Sequence, residues 1–392
     1  MPWSQTSPMD QRTQFLADYL RHTLSHTELC QHYGISRKTG YKWIARYLAQ
    51  GPTGLQERSR KPHHSPSQTP QYLVDALLDA RKLHPTWGAK KLLPILKRKH
   101  PAWKWPARST LSDLLKKHHK IPKHHRRRKP GHPGAPKTTS HQPNALWCAD
   151  FKGQFKTRDG IYCYPLTVTD AHSRYLLACQ ALPSTAVHLA IPVFRDLFRQ
   201  FGLPQRIRTD NGVPFATVSL ARLSKLSAWW IRLGILPELI QPGKPQQNGQ
   251  HERMHKTLKA ETTIPPAGSL AAQQRRFNTF VHEFNHLRPH EALNLDTPDQ
   301  HYLPSNIPMP PTLPPLEYPP HFEQRYVSGN GGIRWKGGWV NVSTVCAYEY
   351  VGLEEVDLGI WNLYFGPVKL GRLLEKYMRV EDAFGNLFRH HV

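Results

Sequence analysis

Three segments of the chain, residues 51–70, 123–144 and 304–320, are rich in proline, in serine or in basic residues, and none shows apolar periodicity. Segments of this composition cannot bury a core, so they predict linkers or arms between folded parts. A chain of 392 residues is also too long for one compact core. These breaks therefore predict a multidomain protein.

The charge of the chain narrows the class of partner. Its 53 Lys and Arg residues against 28 Asp and Glu residues give a formal net charge of +25. Cationic side chains displace the counterions condensed on phosphates, so nucleic acid is the favoured partner. An anionic membrane is the alternative, but no apolar run approaches the ~20 residues that span a bilayer. The start of the chain lacks the apolar core of a signal peptide, and the five cysteines lack a C-x-x-C pair, which fits a reducing cytoplasm.

Residues 1–50 have the pattern of a helix-turn-helix domain. Periodicity predicts helices over residues 9–22 and 27–33, and Ser36 caps a third helix that is both basic and aromatic. The first helix carries one apolar stripe, made of Phe15, Leu16, Tyr19 and Leu20. A recognition helix of this kind enters the major groove of DNA. Its candidate DNA contacts are Arg37, Lys38, Tyr41, Lys42 and Arg46. The alternative is an ordinary three-helix bundle with a solvated basic face.

Residues 71–122 return to helical periodicity and predict a second small helical domain. DNA binding and simple packing are equally good interpretations of it. The arm that follows, residues 123–144, contains Arg126, Arg127 and Arg128 among other basic residues. We expect this arm to lie along phosphates, with a solvated linker as the alternative.

From residue 145 to residue 303, short apolar runs alternate with amphipathic segments, which predicts an α/β domain. The expected strands are 146–151, 162–169, 175–182, 206–209 and 235–239, and the expected helices are 184–202, 220–233 and one from 246 onward. After the proline-rich linker, residues 321–392 contain short strands with glycine-rich turns. That pattern predicts a small β barrel of five or six strands.

Three carboxylates stand out by their placement in the α/β segment. Asp150 ends the first strand, Asp210 follows the fourth strand in an Asp-Asn-Gly turn, and Glu252 begins a helix. Helical spacing puts Asn248, Glu252, Lys256 and Lys259 on one side of that helix. Carboxylates from separate elements could hold two Mg²⁺ ions about 3.5–4 Å apart for phosphodiester cleavage. Spacing alone, however, does not select these three among 28 acidic residues.

The segments around these carboxylates resemble the catalytic core of retroviral integrases and of the related bacterial insertion-sequence transposases. The resembling stretches are LWCADFKG, LTVTDAHSRY, IRTDNGVPFA, QPGKPQQNGQHERMHKTLKAE and FNHLRPHEALNLDTPDQHY. The order of helix-turn-helix, linker, core and small β barrel (SH3-like) also resembles the bacterial transposases. The resemblance implies a ribonuclease-H-like fold for residues 145–303.

The resemblance also implies a site and a reaction. Asp150, Asp210 and Glu252 would bind Mg²⁺, with Mn²⁺ as a substitute, and catalyse nicking at the ends of a mobile element and strand transfer into target DNA. Asn211 would lie beside the site, Lys256 and Lys259 would contact the DNA end, and Asn211 and Asn248 are also expected to bind DNA. The partners would be double-stranded DNA and further copies of the chain, as a dimer or tetramer, with no membrane, in a bacterial cytoplasm at the nucleoid. The alternatives are a DNA-binding repressor with an inactive core and a structure-selective nuclease.

Neighbouring polar residues carry expectations of a different kind. Asp170 is expected to cap the turn between two strands with Arg174 as its partner, and Glu261 to point away from the site. His251 is expected to face solvent. His22, His26 and Cys30 imitate part of the zinc module of retroviral integrases, but no C-x-x-C completes it, so zinc is not expected.

Overall fold

The structure is a computed structural model that describes residues 7–59, 68–121 and 140–382, together with residues 385 and 387. It divides into two compact units, residues 1–69 and residues 70–392, which are described separately. The basic arm expected from residue 123, including Arg126, Arg127 and Arg128, lies outside the described residues up to position 139.

The first unit contains three helices, α1 (Pro8–Leu20), α2 (His26–His32) and α3 (Arg37–Gln50). A serine caps each helix, and the Ser36 hydroxyl accepts a hydrogen bond from the Thr39 N–H (3.2 Å), as predicted. A Cβ on Gly40 would lie 2.6 Å from Cys30 Sγ, so only glycine lets α3 approach α2 this closely.

The apolar stripe of α1 is narrower than the sequence indicates. Phe15 and Leu16 are buried with Trp43 and Leu55, but Leu20 is 50% exposed and does not join this core. Leu55 belongs to the short 3₁₀ helix Gly51–Leu55, so the first residues of the expected linker pack on the helical domain.

The second unit begins with α4 (Gln71–Leu83), α5 (Ala89–Lys99) and α6 (Arg108–Lys117) around a core centred on Leu77, Leu92 and Leu111. This domain also contacts the rest of the unit. Lys90 Nζ lies 2.7 Å from Glu291 Oε2, and the Thr86 hydroxyl donates to Glu261. One side of the domain is therefore used for packing.

The central domain is built on one mixed sheet. Its strands are β1 (Trp147–Phe151), β2 (Phe155–Lys156), β3 (Tyr162–Asp170), β4 (Leu176–Leu182), β5 (Arg206–Thr209) and β6 (Leu236–Leu239). The order β2-β3-β1-β5-β6 has β4 also paired with β3; β1 is antiparallel to β3 and parallel to β5, and β5 is parallel to β6. This arrangement confirms the ribonuclease-H-like α/β fold class.

Helices cover both faces of the sheet. On one face, α7 (Val187–Phe201) and α8 (Lys225–Arg232) pack over Trp147, Leu166 and Val168. On the other face, α9 (Gly249–Thr262) and α10 (Leu270–His282) share a core with Cys163 and Cys179. Because side chains alternate along a strand, the polar Thr167 and Thr169 point toward α9 while Leu166 and Val168 point away. The helix expected over residues 220–233 begins only at Lys225, after a separate 3₁₀ turn in which Ala221 has a φ of 50°.

The C-terminal domain is all β, as predicted. Its strands are β7 (Glu323–Tyr326), β8 (Gly332–Trp335), β9 (Gly338–Asn341), β10 (Tyr350–Asp357), β11 (Ile360–Phe365), β12 (Val368–Leu374) and β13 (Arg379–Glu381). They pair as a five-stranded sheet, β13-β12-β11-β10-β7, and a β8-β9 hairpin around one apolar core. The strand β13 was not expected from the sequence.

The proline-rich segment 304–320 is tied to the central domain. The Ser305 N–H donates to the Phe201 carbonyl (2.8 Å), and the Leu203 N–H donates to the Ile307 carbonyl (2.7 Å). The Arg232 guanidinium donates to the Pro314 carbonyl (2.9 Å). The segment has neither helix nor strand, yet it packs along the core.

Candidate active site

Asp150 lies one residue before the end of β1, at the centre of the sheet. Its antiparallel partner on β3 is Thr167, and β5 runs parallel to β1 on the other side. The Thr167 hydroxyl donates to the Asp150 carbonyl (3.0 Å). Alternation along the strand places the Asp150 side chain on the face covered by α9.

Asp210 follows β5 directly, at the strand end beside β1. Its carboxylate accepts a hydrogen bond from the Gly212 N–H (3.1 Å), which closes an Asx turn. A Cβ at position 212 would lie 3.1 Å from Asp210 Oδ2, so glycine gives the carboxylate its room. Asn211 turns away from Asp210 and donates to the Ile240 carbonyl (2.9 Å), which ties the turn to the end of β6.

Glu252 lies in the first turn of α9, where the helix dipole favours a carboxylate. It is exposed, and so are Lys256 and Lys259, one and two turns further along the helix. None of these three side chains makes a hydrogen bond or ion pair within the described parts of the chain. Asn248 departs from the expectation: it is the N-cap residue of α9, is only 5% exposed, and does not lie on that exposed side.

The charges of the other two carboxylates act on Asp150. Burial, first, and the charge of Asp210, second, raise the pKa of Asp150 to about 7. The charge of Glu252 also raises this pKa, while the Phe151 N–H and Lys152 lower it. Like charges around a half-buried carboxyl disfavour its ionised form.

His251 faces the sheet, so the expectation that it faces solvent was wrong. It is 1% exposed, and its Nε2 and Nδ1 lie 2.7 Å and 2.9 Å from the hydroxyls of Thr167 and Thr169. His255, one turn later, places Nε2 2.6 Å from the Thr167 hydroxyl and Nδ1 3.7 Å from Asp150 Oδ2. Burial lowers the pKa of both imidazoles, that of His255 to about 3, so both are neutral near pH 7.

This histidine–threonine cluster has a consistent hydrogen-bond pattern. When both imidazoles carry the proton on Nε2, both donate to the Thr167 hydroxyl, which in turn donates to the Asp150 carbonyl. Nδ1 of His251 then accepts from the Thr169 hydroxyl. The cluster therefore fixes α9 against β1 and β3 beside Asp150.

Two sets of side chains could hold a metal at this place. Among the described residues, one set of three ligand atoms lies within 4.8 Å, from Asp150, His251 and His255. Asp210 and Glu252 lie outside that set, although their charges act on Asp150. Both nitrogens of His251 are already hydrogen bonded, so the histidine set lacks a free third ligand. The three carboxylates offer the oxygen donors that Mg²⁺ prefers, and a divalent cation would relieve their repulsion. The carboxylate set fits Mg²⁺ better.

A buried ion pair beneath the site was not found from the sequence. Arg208 Nε donates to Glu238 Oε1 (2.7 Å) across β5 and β6, and both side chains are buried. Arg208 Nη1 also donates to the Gln247 carbonyl (3.2 Å), in the turn that precedes α9. Arg208 thus joins the strand that ends at Asp210 to the turn that leads into Glu252.

The other expectations near the site have mixed outcomes. Asp170 is buried and caps its turn, accepting from the N–H groups of Asn144 (2.8 Å) and Ser173 (2.7 Å), as predicted. The Arg174 side chain makes no hydrogen bond to it among the described residues. Glu261 points away from the site, as predicted, and pairs with Arg288 (2.7 Å).

The expected DNA contacts of the first unit lie along α3. Arg37, Lys38, Tyr41 and Lys42 are exposed, and Arg46 is half-buried. The rings of Tyr41 and His26 stack with centroids 3.8 Å apart, and Trp43 lies beneath the Arg12 guanidinium at 4.0 Å. The helix presents an exposed basic and aromatic side over a buried tryptophan.

Several known protein families match parts of this chain. Residues 140–245 and residues 233–298 each match a family described as an integrase core domain. Together these two matches cover residues 140–298. Before the integrase core, residues 11–63 match a helix-turn-helix domain and residues 39–115 a homeodomain-like domain. These matches confirm the resemblance to integrases and the predicted multidomain fold class.

Known proteins similar to the chain include retroviral polyproteins. The chain is 31% identical over 131 residues to the Gag-Pol polyprotein of baboon endogenous virus (strain M7), which covers 33% of this chain and 7% of that one. It is 32% identical over 125 residues to the Pol polyprotein of radiation murine leukemia virus (strain Kaplan), covering 31% of this chain and 20% of that one. The chain thus spans only a small part of the length of these relatives.

Solved structures similar to the chain include two integrases. The magnesium complex of the HTLV-2 integrase catalytic core domain (trimeric form) matches with a TM-score of 0.34 and 17% identity over 42% of this chain and 99% of that one. The simian T-cell lymphotropic virus intasome with PP2A regulatory subunit B56 gamma matches with a TM-score of 0.37 and 17% identity, over 74% of this chain and 97% of that one. Within residues 7–59, 68–121 and 140–382, no helix is long and apolar enough to cross a membrane.

Proposed function

We propose that this chain is a DNA transposase that nicks DNA at the ends of a mobile element and joins the resulting 3′ hydroxyl to target DNA. The observation that carries the proposal is that the charges of Asp210 and Glu252 both act on Asp150, whose carboxyl pKa is raised to about 7 by burial, first, and then by these charges. Carboxylates that act on one another from a strand, a turn and a helix could hold the two metal ions of a phosphodiester site.

The residues of the site have separate tasks in this proposal. Asp150, Asp210 and Glu252 hold Mg²⁺, for which Mn²⁺ can substitute and which, when bound, supplies Lewis acidity at the attacking and leaving oxygens. Lys256 and Lys259 make no hydrogen bond or ion pair with the described residues, so their ammonium groups can bind the phosphates of the DNA end. The cluster of His251, His255 and Thr167 fixes the position of α9 relative to β1.

DNA recognition falls to the helical domains. The exposed side of α3, with Arg37, Lys38 and Lys42 near its first turns, offers donors for base edges and phosphates. Asn211 and Asn248 are not placed to read bases, because Asn211 donates to the Ile240 carbonyl and Asn248 is buried. We assign both to positioning the turns around the site.

The assembly follows from the chemistry of transposition. Two element ends must be joined to one target, and one chain has one triad, so a dimer or tetramer assembled on double-stranded DNA is required. A chain of net charge +25 would be retained on DNA, at the nucleoid of a bacterial host.

A nicking and joining assay tests the proposal. Short inverted repeats in the DNA flanking the gene supply the end sequence. The full chain is incubated with a labelled end duplex, a supercoiled target plasmid and Mg²⁺, and the products are separated on a denaturing gel. We expect nicked ends and joined products with the wild type and neither with Asp210→Asn. The control Asp196→Asn, on the exposed side of α7, should retain both products.

The remaining outcomes separate the alternatives. Specific binding of the duplex with no cleavage in Mg²⁺ or Mn²⁺ would contradict an enzyme and favour the repressor. Cleavage without joining would favour the nuclease. Activity retained by Asp210→Asn would remove this triad from the mechanism.

A further inference from the structure

A cavity of about 220 Å³ lies behind the triad, between α5, α9 and residues 284–292. It shares α9 with Glu252 but opens on the side of the helix that carries Arg253 and Thr257. Four cationic side chains line it, namely Lys91, Arg174, Arg253 and Arg288. The cavity could hold several waters, each of which occupies roughly 30 Å³, so a ligand larger than a monatomic ion can enter.

Three of these cations, Lys91, Arg174 and Arg253, make no side-chain hydrogen bond or ion pair with any described residue. Lys91 and Arg174 are half-buried and Arg253 is exposed, and Nε of Arg174 is fully buried without a hydrogen-bond partner. A buried donor without a partner is costly, and an anion in the cavity would supply one.

The charges of the cavity acids Asp170 and Glu291 act on Arg174 and Lys91, but both carboxylates are hydrogen bonded or paired elsewhere. Asp170 accepts three hydrogen bonds, from the N–H groups of Asn144 and Ser173 and from the Ser173 hydroxyl. Glu291 pairs with Lys90 outside the cavity, at 2.7 Å. The fourth cation, Arg288, is held by Glu261 (2.7 Å) and lies over the Trp87 ring.

The electrostatic consequence appears on Lys91. Burial, first, and the charge of Arg288, second, lower the pKa of the Lys91 ammonium to about 8. Arg253 lowers it further, while Glu261 and Glu291 raise it. The contributions of Arg288 and Arg253 are those of positive charge near Lys91, and an anion in the cavity would offset them.

We propose that this cavity is a binding site for a phosphate group attached to an organic body. Guanidinium groups bind phosphate oxygens in pairs, and the ammonium of Lys91 adds a point charge. The apolar lining, from Met254, Phe284 and Ala292, suits a ring or sugar next to the phosphate better than a free ion. Two sources share this chemistry: a nucleotide of a DNA strand and a free nucleotide. The site does not depend on the proposed reaction, because no triad carboxylate lines the cavity.

Binding measurements without Mg²⁺ test this site on the full chain. Equilibrium dialysis with labelled 5′-AMP and with inorganic phosphate is compared with binding of a short DNA duplex at fixed ionic strength. Lys91→Met keeps the aliphatic stem and removes the charge, and Arg253→Met removes a guanidinium from an exposed position of α9. Arg275→Met, exposed on α10 and outside the cavity, is the matched control.

We expect Lys91→Met and Arg253→Met each to lower the affinity for one of these ligands about tenfold or more, because a charge-assisted hydrogen bond is lost. Arg275→Met should change the same affinity less than about twofold. Loss of 5′-AMP binding would identify a free nucleotide as the source, and loss confined to the duplex would identify DNA. If the cavity variants lower the affinity for no ligand more than Arg275→Met does, the proposal is overturned.

This result is independent of the nicking assay. Asp210→Asn should bind the same ligand with unchanged affinity, since Asp210 does not line the cavity. A failure of the transposase proposal would therefore leave the phosphate site intact. Thermal unfolding of each variant confirms that it is folded. If Lys91→Met does not fold, Arg253→Met alone provides the test.

Discussion

The two sides of α9 are held in place by different means. The side toward solvent carries Glu252, Lys256 and Lys259, whose polar groups make no bond within the described chain. The side toward the sheet carries His251 and His255, whose ring nitrogens are largely taken by two threonine hydroxyls. Because the imidazoles on the sheet side fix the position of α9, the polar groups on the solvent side are available to bind DNA and metal.

The largest effect expected from this comparison is that of Glu252→Gln. Loss of one metal ligand should lower nicking on the order of a thousandfold or more, because the phosphodiester charge is no longer neutralised. The free energy of unfolding should change by less than about 1 kcal/mol, because removal of a like charge near Asp150 opposes the loss of the interaction with the helix dipole. Nicking assays and urea unfolding measure the two quantities.

Glu317→Gln, an exposed carboxylate of the proline-rich segment, is the control for this variant. It should leave both nicking and stability unchanged. A destabilised Glu252→Gln chain would mean that the solvent side of α9 also carries the fold, which would break the comparison.

The sheet side predicts a loss of stability instead. Thr167→Val keeps the shape of the side chain but removes a hydroxyl that contacts both imidazoles and the Asp150 carbonyl. Leaving buried imidazole groups without a partner should lower the free energy of unfolding by about 1–3 kcal/mol. Urea unfolding of the metal-free chain gives this value.

Thr279→Val, on the exposed side of α10, is the matched substitution and should change stability by less than about 0.5 kcal/mol. Equal stability of the two valine variants would show that the hydroxyl cluster does not fix α9. The claim that the sheet side of α9 fixes the helix would then be wrong.

The same two sides explain what the sequence could and could not predict. Asp150, Asp210 and Glu252 could be proposed as a triad because the stretches around each of them resemble the integrase core. The burial of His251 was missed although its signal was present: His251, Met254, His255 and Leu258 recur at helical spacing, which is the pattern of a buried stripe. Counting histidine as polar concealed that stripe.

Other features depend on contacts between distant residues and left no local signal. The pair of Arg208 and Glu238 joins two strands 30 residues apart, and although Arg208 lies in the stretch IRTDNGVPFA, none of the stretches that resemble the integrase core contains Glu238. The strands β2 and β13 have only two and three residues, too few for an alternation to be recognised. The pairing of the C-terminal strands as five and two likewise depends on tertiary packing.

A third buried imidazole sharpens the comparison through pH. His290 packs on Phe284, in the apolar cluster that also contains Met254 of α9, and burial lowers its pKa to about 4. Below about pH 6.5, this imidazole therefore binds a proton in the unfolded chain but stays neutral in the folded chain until the pH approaches 4. The stability contributed by the neutral imidazole is complete above pH 6.5 and is lost as the pH falls toward 4.

His290→Phe should make the free energy of unfolding less dependent on pH in that window, by up to about 1.4 kcal/mol per pH unit. Unfolding in chloride buffers without phosphate avoids ligands of the nearby cavity. His188→Phe, an exposed histidine of α7, should retain the wild-type slope. An unchanged slope in His290→Phe would mean that this imidazole is charged in the folded chain.

The smallest effect expected belongs to Lys259→Met on the solvent side of α9. If Lys259 binds one phosphate, its loss should reduce the slope of log affinity for the end duplex against log salt concentration by about 0.9. The free energy of unfolding should not change, because the ammonium makes no bond within the described chain. Lys82→Met is the matched control, since Lys82 is already paired with Asp79 at 2.8 Å and should leave the slope unchanged. An equal change in both variants would show general charge attraction rather than a phosphate contact, and would remove Lys259 from the DNA-binding side of α9.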